Sequence, residues 1–170
     1  MAELRGWLGL AARLTAGAIW LVAGVAKARD FEAFRAQVAG YDVLPHALVA
    51  WVGYGLPLLE IALGAYLVLG FMVRPAAWLS LALLAVFIAA QAQAWARGLV
   101  IDCGCFGAID RRQVGAGTLA RDLALALPTL VVMLVGGGRW SLDGRLQRPA
   151  AAGQDRRPGT VGDPRHDDLG

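Results

Sequence analysis

The sequence predicts an all-α protein, an integral membrane four-helix bundle. Three observations carry that prediction. The chain is 58% hydrophobic with a mean hydropathy of +0.54, whereas a soluble domain stays near about half apolar. Four segments each supply the roughly 20 mostly apolar residues that a bilayer span needs. Tryptophans mark the limits of these segments. Trp7, Trp51, Trp78, Trp95 and Trp140 fall near span ends, as an interfacial belt does, and Trp20 alone lies mid-span.

The spans are expected at about residues 7–26, 47–72, 75–96 and 119–135, within a membrane domain of residues 1–138. Pro75 stands in the first helical turn of the third, where proline is favoured. Pro128 lies inside the fourth and is expected to kink it. The first segment also has traits of a cleavable leader, with Arg5 ahead of an apolar run and Ala26-Lys27-Ala28 after it. Arg13 interrupts that run and Lys27 would sit inside the cleavage site, so the segment is read as an uncleaved span.

The connections differ in chemistry. The link after the first span is charged and contains FEAFRAQV, whose Phe31, Phe34 and Val38 form one face of a short amphipathic helix directed at the membrane or the bundle. The link between spans two and three is short and makes an antiparallel hairpin. The link before the last span is Gly-rich and holds DCGCFG. Residues 139–170 are rich in Gly, Pro, Arg and Asp and are expected to be a disordered charged tail. The sequence pI is about 9.3, yet the net charge is only +3. The basic residues flank spans without aromatic interleaving, which argues against a nucleic-acid surface.

An ionisable side chain at mid-bilayer is costly unless it faces the interior and finds a partner. Arg13, Gly17, Trp20, Gly24 and Lys27 share one stripe of the first span, and Gly53, Pro57, Glu60 and Gly64 share one of the second. Small residues on such stripes let helices approach closely. An intramembrane polar cluster of Arg13, Lys27, Glu60 and Arg121 follows, with Arg13 as the candidate partner of Glu60. The alternative has Arg13 reaching to the interface and Glu60 protonated or locally hydrogen-bonded. Arg121 and Asp122 open the last span, and a plain helix-start pair at the interface accounts for them better than a site role does.

The chain has two cysteines, Cys103 and Cys105, separated by Gly104. Two cysteines at this spacing can bond if their Cα atoms approach within about 7 Å, and glycine permits the turn. Such a small ring is strained, and strained disulfides exchange readily. Cys103 and Cys105 are therefore the candidate catalytic residues. Asp102 would raise a neighbouring thiol pKa, and Arg97, Arg111 or Arg112 would lower it. Inert loop cysteines, a palmitoylation site and ligands of a metal shared with a partner are the competing readings. No metal is expected within the chain, because structural zinc takes four ligands and His46 and His166 are both distant in sequence.

Basic residues do not fix the orientation. With the N-terminus inside, Arg5, Arg13, Arg74, Arg139, Arg145 and Arg148 balance Lys27, Arg29, Arg35, Arg97, Arg111 and Arg112 outside. Disulfides persist in oxidising compartments. The expected arrangement is multi-pass in the bacterial plasma membrane, both termini cytoplasmic, the Cys loop external.

Taken together, the residues resemble the MauE/DoxX family of bacterial redox-associated membrane proteins, and its methylamine-utilisation MauE branch most closely. The resemblance covers about residues 10–134. It rests on Arg13, Gly17, Ala23-Gly24 and Lys27, then Tyr41 and Leu44-Pro45, then Leu56-Pro57, Glu60, Gly64 and Gly70, then Cys103-Gly104-Cys105-Phe106-Gly107, then Arg121-Asp122. It implies a four-helix membrane bundle with a role in thiol–disulfide handling or maturation of exported proteins. MauE-like proteins are linked with assembly of a disulfide-rich periplasmic methylamine dehydrogenase subunit, and DoxX-like ones with quinol-oxidase or oxidative-stress complexes.

The expected function is thus that of a membrane thiol–disulfide oxidoreductase component, with an exported client or a thioredoxin-like protein as partner besides the lipid bilayer. One cysteine pair has no second pair to relay electrons to, so they pass to a partner protein or a quinone. No other cofactor is evident. A non-catalytic scaffold of a respiratory or oxidative-stress complex, and a small transporter using Glu60, are the alternatives.

Overall fold

In lipid every backbone N–H and C=O must be satisfied within its own segment, so the apolar runs form helices. The computed structural model describes residues 2–106, 112–136 and 138. It contains α1 (Ala2–Ala28), α2 (Phe31–Gly40), α3 (His46–Leu69), α4 (Val73–Ala96) and α5 (Ala116–Val135). Of these, α1, α3, α4 and α5 are long and apolar enough to cross a membrane. The protein is an all-α, multi-pass membrane protein, with one isolated antiparallel bridge, Asp102 to Gln113, among the described residues. The charged tail, Trp140 and Arg111 lie outside them.

Close approach of α1 to α3 organises the bundle. A Cβ on Gly64 would stand 2.7 Å from the Leu21 backbone nitrogen and 2.8 Å from the Gly17 oxygen, and one on Gly24 would stand 2.8 Å from the Pro57 oxygen. Packing here comes from dispersion between backbones, since lipid tails offer no hydrophobic drive for helix pairing. The two contacts define an antiparallel register that sets Ala28 level with Gly53. About two turns of α3 therefore rise past the end of α1.

α2 fills the space beside that raised segment. Asp30 caps it by accepting from the Ala33 N–H at 2.9 Å. Arg35 lies against Gly53, Phe31 against the Tyr54 ring, and the Tyr54 hydroxyl donates to Glu32 at 2.5 Å. Phe34 is buried. The amphipathic face is thus turned into the bundle rather than along the membrane.

α5 packs on both α1 and α4. Trp20, the one mid-span tryptophan, belongs to the central core with Leu63, Leu67 and Leu84, and its ring lies 6.3 Å from that of Phe87. Trp7, Trp51, Trp78 and Trp95 are exposed, as belt residues should be. Gly70, at φ 70°, closes α3 with bonds to the Tyr66 and Leu67 carbonyls and turns the chain into α4.

Candidate functional site

The loop after α4 folds back over the end of the bundle. Cys103 N–H donates to the Arg112 carbonyl at 2.8 Å and Val114 N–H to the Ile101 carbonyl at 2.9 Å. The Tyr41 hydroxyl donates to the Cys103 carbonyl at 2.7 Å. Burial, then the nearby thiols and Asp122, push the Tyr41 pKa above its ordinary range, so it stays a donor. Gly104 has φ +71°, and a Cβ there would stand 2.8 Å from the Gln37 Oε1. Both conformation and space therefore require glycine between the two cysteines.

This loop is not the open segment that its glycines suggest. Ala94, Cys103 and Val114 form a small buried cluster supported by Tyr41, Leu99 and Ile101. Cys103 is only 4% exposed, and Cys105 is half-buried. The two sulfurs lie 2.7 Å apart, both as free thiols.

Opposite charges flank the pair. The Arg121 guanidinium donates to Cys103 Sγ at 3.3 Å and rests over the Phe106 ring. Asp122 accepts from Cys105 Sγ at 3.1 Å through Oδ2 and from Arg121 at 2.9 Å through Oδ1. Sharing of the one Cys105 S–H between Asp122 and Cys103, aided by the Arg121 charge, lowers the Cys103 pKa to about 7 against the pull of burial. The bond to Cys103, burial and the negative charges of Cys103 and Asp122 hold Cys105 far above the ordinary thiol range. Cys103 is thus the more acidic thiol of the pair, and Cys105 holds its proton more tightly. Of the three arginines the sequence offered, Arg97 is engaged elsewhere. Arg97 pairs with Asp42 at 3.1 Å, Arg112 touches the pair through its backbone carbonyl, and Arg111 falls outside the described residues.

Gln91 on α4 completes the arrangement. Its Nε2 donates to Asp122 at 2.5 Å and to Cys105 Sγ at 3.4 Å. Sequence reasoning passed over Gln91 and read Asp122 as part of a helix-start pair with Arg121. The available signal was an amide within an apolar span, which deserves the same scrutiny as Glu60.

The intramembrane cluster divides. Glu60 pairs with Lys27, at 2.5 Å with the side chains 0% and 2% exposed, and not with Arg13. The physical reason is the α1–α3 register: with Gly24 against Pro57 and Gly17 against Gly64, Glu60 is level with the last third of α1, and Lys27 reaches back to it. Arg13 is buried lower on α1, about 21 Å from Lys27 along the helix. Arg121 joins the cysteines instead. The Lys27 ammonium also lies 5.4 Å and 5.2 Å from the Phe34 and Phe87 ring centres.

Two cavities connect these groups. A small one of about 30 Å³ is bordered by Lys27, Glu60, Cys105 and Asp122, room for a water or two. Glu60 Oε2 is buried there with no hydrogen-bond partner among the described residues. A larger one of about 570 Å³ lies between α2, α3 and α4 and reaches Lys27, Gln91, Cys103 and Cys105. Cys103, Cys105 and Asp122 bring three potential metal-ligand atoms within 4.8 Å of one another. Three donors fall short of a closed tetrahedral site, and the Arg121 cation already occupies the Cys103 sulfur.

Fold and site together define a membrane helix bundle with a charge-polarised thiol pair at one end. The family described as methylamine utilisation protein MauE matches residues 5–135, and the chain belongs to it. It is 34% identical over 123 residues to the methylamine utilization protein MauE of Paracoccus denitrificans, covering 72% of this chain and 66% of that protein. The chain therefore spans just under two thirds of that relative's length. No solved structure matches.

Proposed function

We propose that this protein is a membrane thiol–disulfide exchange component that oxidises cysteines of an exported protein or of a thioredoxin-like intermediary. One observation carries the reading: the paired sulfurs sit between a cation at Cys103 and a carboxylate at Cys105. In the disulfide state, a client thiolate attacks Cys105, the more exposed residue of the pair. The Cys103–Cys105 bond breaks and Cys103 leaves as the thiolate that Arg121 stabilises. A second client thiolate then attacks the client sulfur of the mixed disulfide. Cys105 departs and takes up a proton, leaving client disulfide and enzyme dithiol. The Cys loop faces the oxidising exterior of the bacterial plasma membrane in this account, with both termini cytoplasmic. A place in methylamine utilisation is proposed from the relative's name alone.

Pairing of Glu60 with Lys27 favours a structural role for that carboxylate over a solute site. The test of the exchange reading is trapping. Cys103→Ser, which keeps Cys105, should accumulate a reducible high-mass adduct in membranes, and Cys105→Ser should accumulate much less. Absence of adducts from both variants, with normal client maturation in the double variant, would replace exchange with the scaffold reading.

A further inference from the structure

The larger cavity asks what the thiols face. Only two cysteines exist in the chain, so every exchange cycle leaves a dithiol whose two electrons must go elsewhere. Both sulfurs border the cavity of about 570 Å³, a volume within the range of about 300–1,000 Å³ typical of small-molecule sites. Its walls are largely apolar, with Phe34 of α2, Leu56 of α3 and Leu83 of α4 among them. Val86, at mid-span on α4, also lines it and is 62% exposed. The cavity thus extends to the exposed, lipid-facing side of α4. Lys27 supplies a hydrogen-bond donor at the inner wall. Lys27 retains N–H groups beyond the one given to Glu60.

We propose that this cavity binds the head group of a lipid-soluble quinone, which reoxidises the Cys103–Cys105 dithiol. The proposal rests on the exchange reading above and names its electron acceptor. A quinone joins the three properties that the site selects: an apolar body, ring oxygens that accept hydrogen bonds, and capacity for two electrons. The step balances as Cys103 thiolate, Cys105 thiol, quinone and one proton giving disulfide and quinol. The Cys105 S–H bond breaks and the S–S bond forms. Two electrons pass to the ring, with one proton from Cys105 and one from water.

The experiment uses the full chain, reduced and reconstituted in lipid nanodiscs, with decylubiquinone as the probe. Loss of quinone absorbance and loss of free thiols are followed together. One quinone should be reduced per dithiol consumed, and Cys105→Ser should reduce none. Leu56→Trp and Ala90→Trp, which fill the cavity from α3 and α4, should each raise the quinone concentration for half-maximal rate by about tenfold. Helicity checks folding, and either folded variant suffices. In a separate arm, the oxidised chain is mixed with a reduced dithiol peptide without quinone. Exchange there with no quinone reduction, or with reduction indifferent to the tryptophans, overturns the quinone site and leaves exchange standing. Failure of both arms overturns both.

Discussion

Replacing Lys27 by Met removes the cation from a pair whose members touch at 2.5 Å and are 2% and 0% exposed. Breaking a buried pair from one side costs about 3–5 kcal/mol, whereas replacing both partners by apolar residues is often close to neutral. The surroundings decide where in that range Lys27→Met falls. Glu60 looks onto Trp20, Phe87 and a cavity of only about 30 Å³, so bulk water cannot solvate an orphaned carboxylate. Protonation is its escape, which places the loss near the lower end, about 3 kcal/mol. The double variant Lys27→Met/Glu60→Leu should recover most of that loss, giving a coupling of about 2 kcal/mol or more. Glu60→Lys should be worse than either, since it sets two ammonium groups together. Glu60→Gln should be mild if the carboxylate only holds the bundle and severe for function if it carries protons. Denaturation of purified protein in detergent, followed by circular dichroism, measures the stability changes, and client maturation in membranes the effect of Glu60→Gln on function. A Lys27→Met protein within about 0.5 kcal/mol of wild type, the range expected of an unremarkable surface change, would refute the reasoning. So would a double variant no better than its parents.

Arg121→Gln should move the pH midpoint of Cys103 alkylation upward from about 7. The guanidinium favours the thiolate, so the variant reacts more slowly near neutral pH and equally at high pH, as a small alkylating reagent followed by mass spectrometry would record. Gly64→Leu should destabilise the bundle by about 1–3 kcal/mol in the same denaturation assay, because its Cβ would meet α1 backbone at 2.7 Å. Reporter fusions after Gly70 and Gly138 should read cytoplasmic and one after Gly115 external. An external C-terminus would contradict the proposed orientation.

The spans were legible because hydropathy sums over whole helices and tolerates local error. The first helix nonetheless begins at Ala2 and the last at Ala116, ahead of the apolar limits, since polar first turns are helical too. The Cys pair was legible as a motif. Its polarisation was not, because Asp122 and Gln91 reach it only once α4 and α5 pack antiparallel. Choosing Arg13 over Lys27 for Glu60 failed for a related reason. Each glycine stripe is visible in one helix, but the axial offset between helices exists only in the contacts of Gly17 with Gly64 and Gly24 with Pro57. Loop burial escaped the sequence as well: a Gly-rich segment looks solvated until Tyr41 and Val114 close over it.

The most direct measurement of the central claim is the redox state of Cys103 and Cys105 in intact membranes, quenched in acid and read by mass-shifting alkylation. The pair should rest as a disulfide, convert to dithiol when an exported protein rich in unpaired thiols is pulsed into the cell, then return to disulfide as the pulse is exhausted. A pair whose state stays fixed through the pulse, whether oxidised or reduced, would contradict the exchange reading.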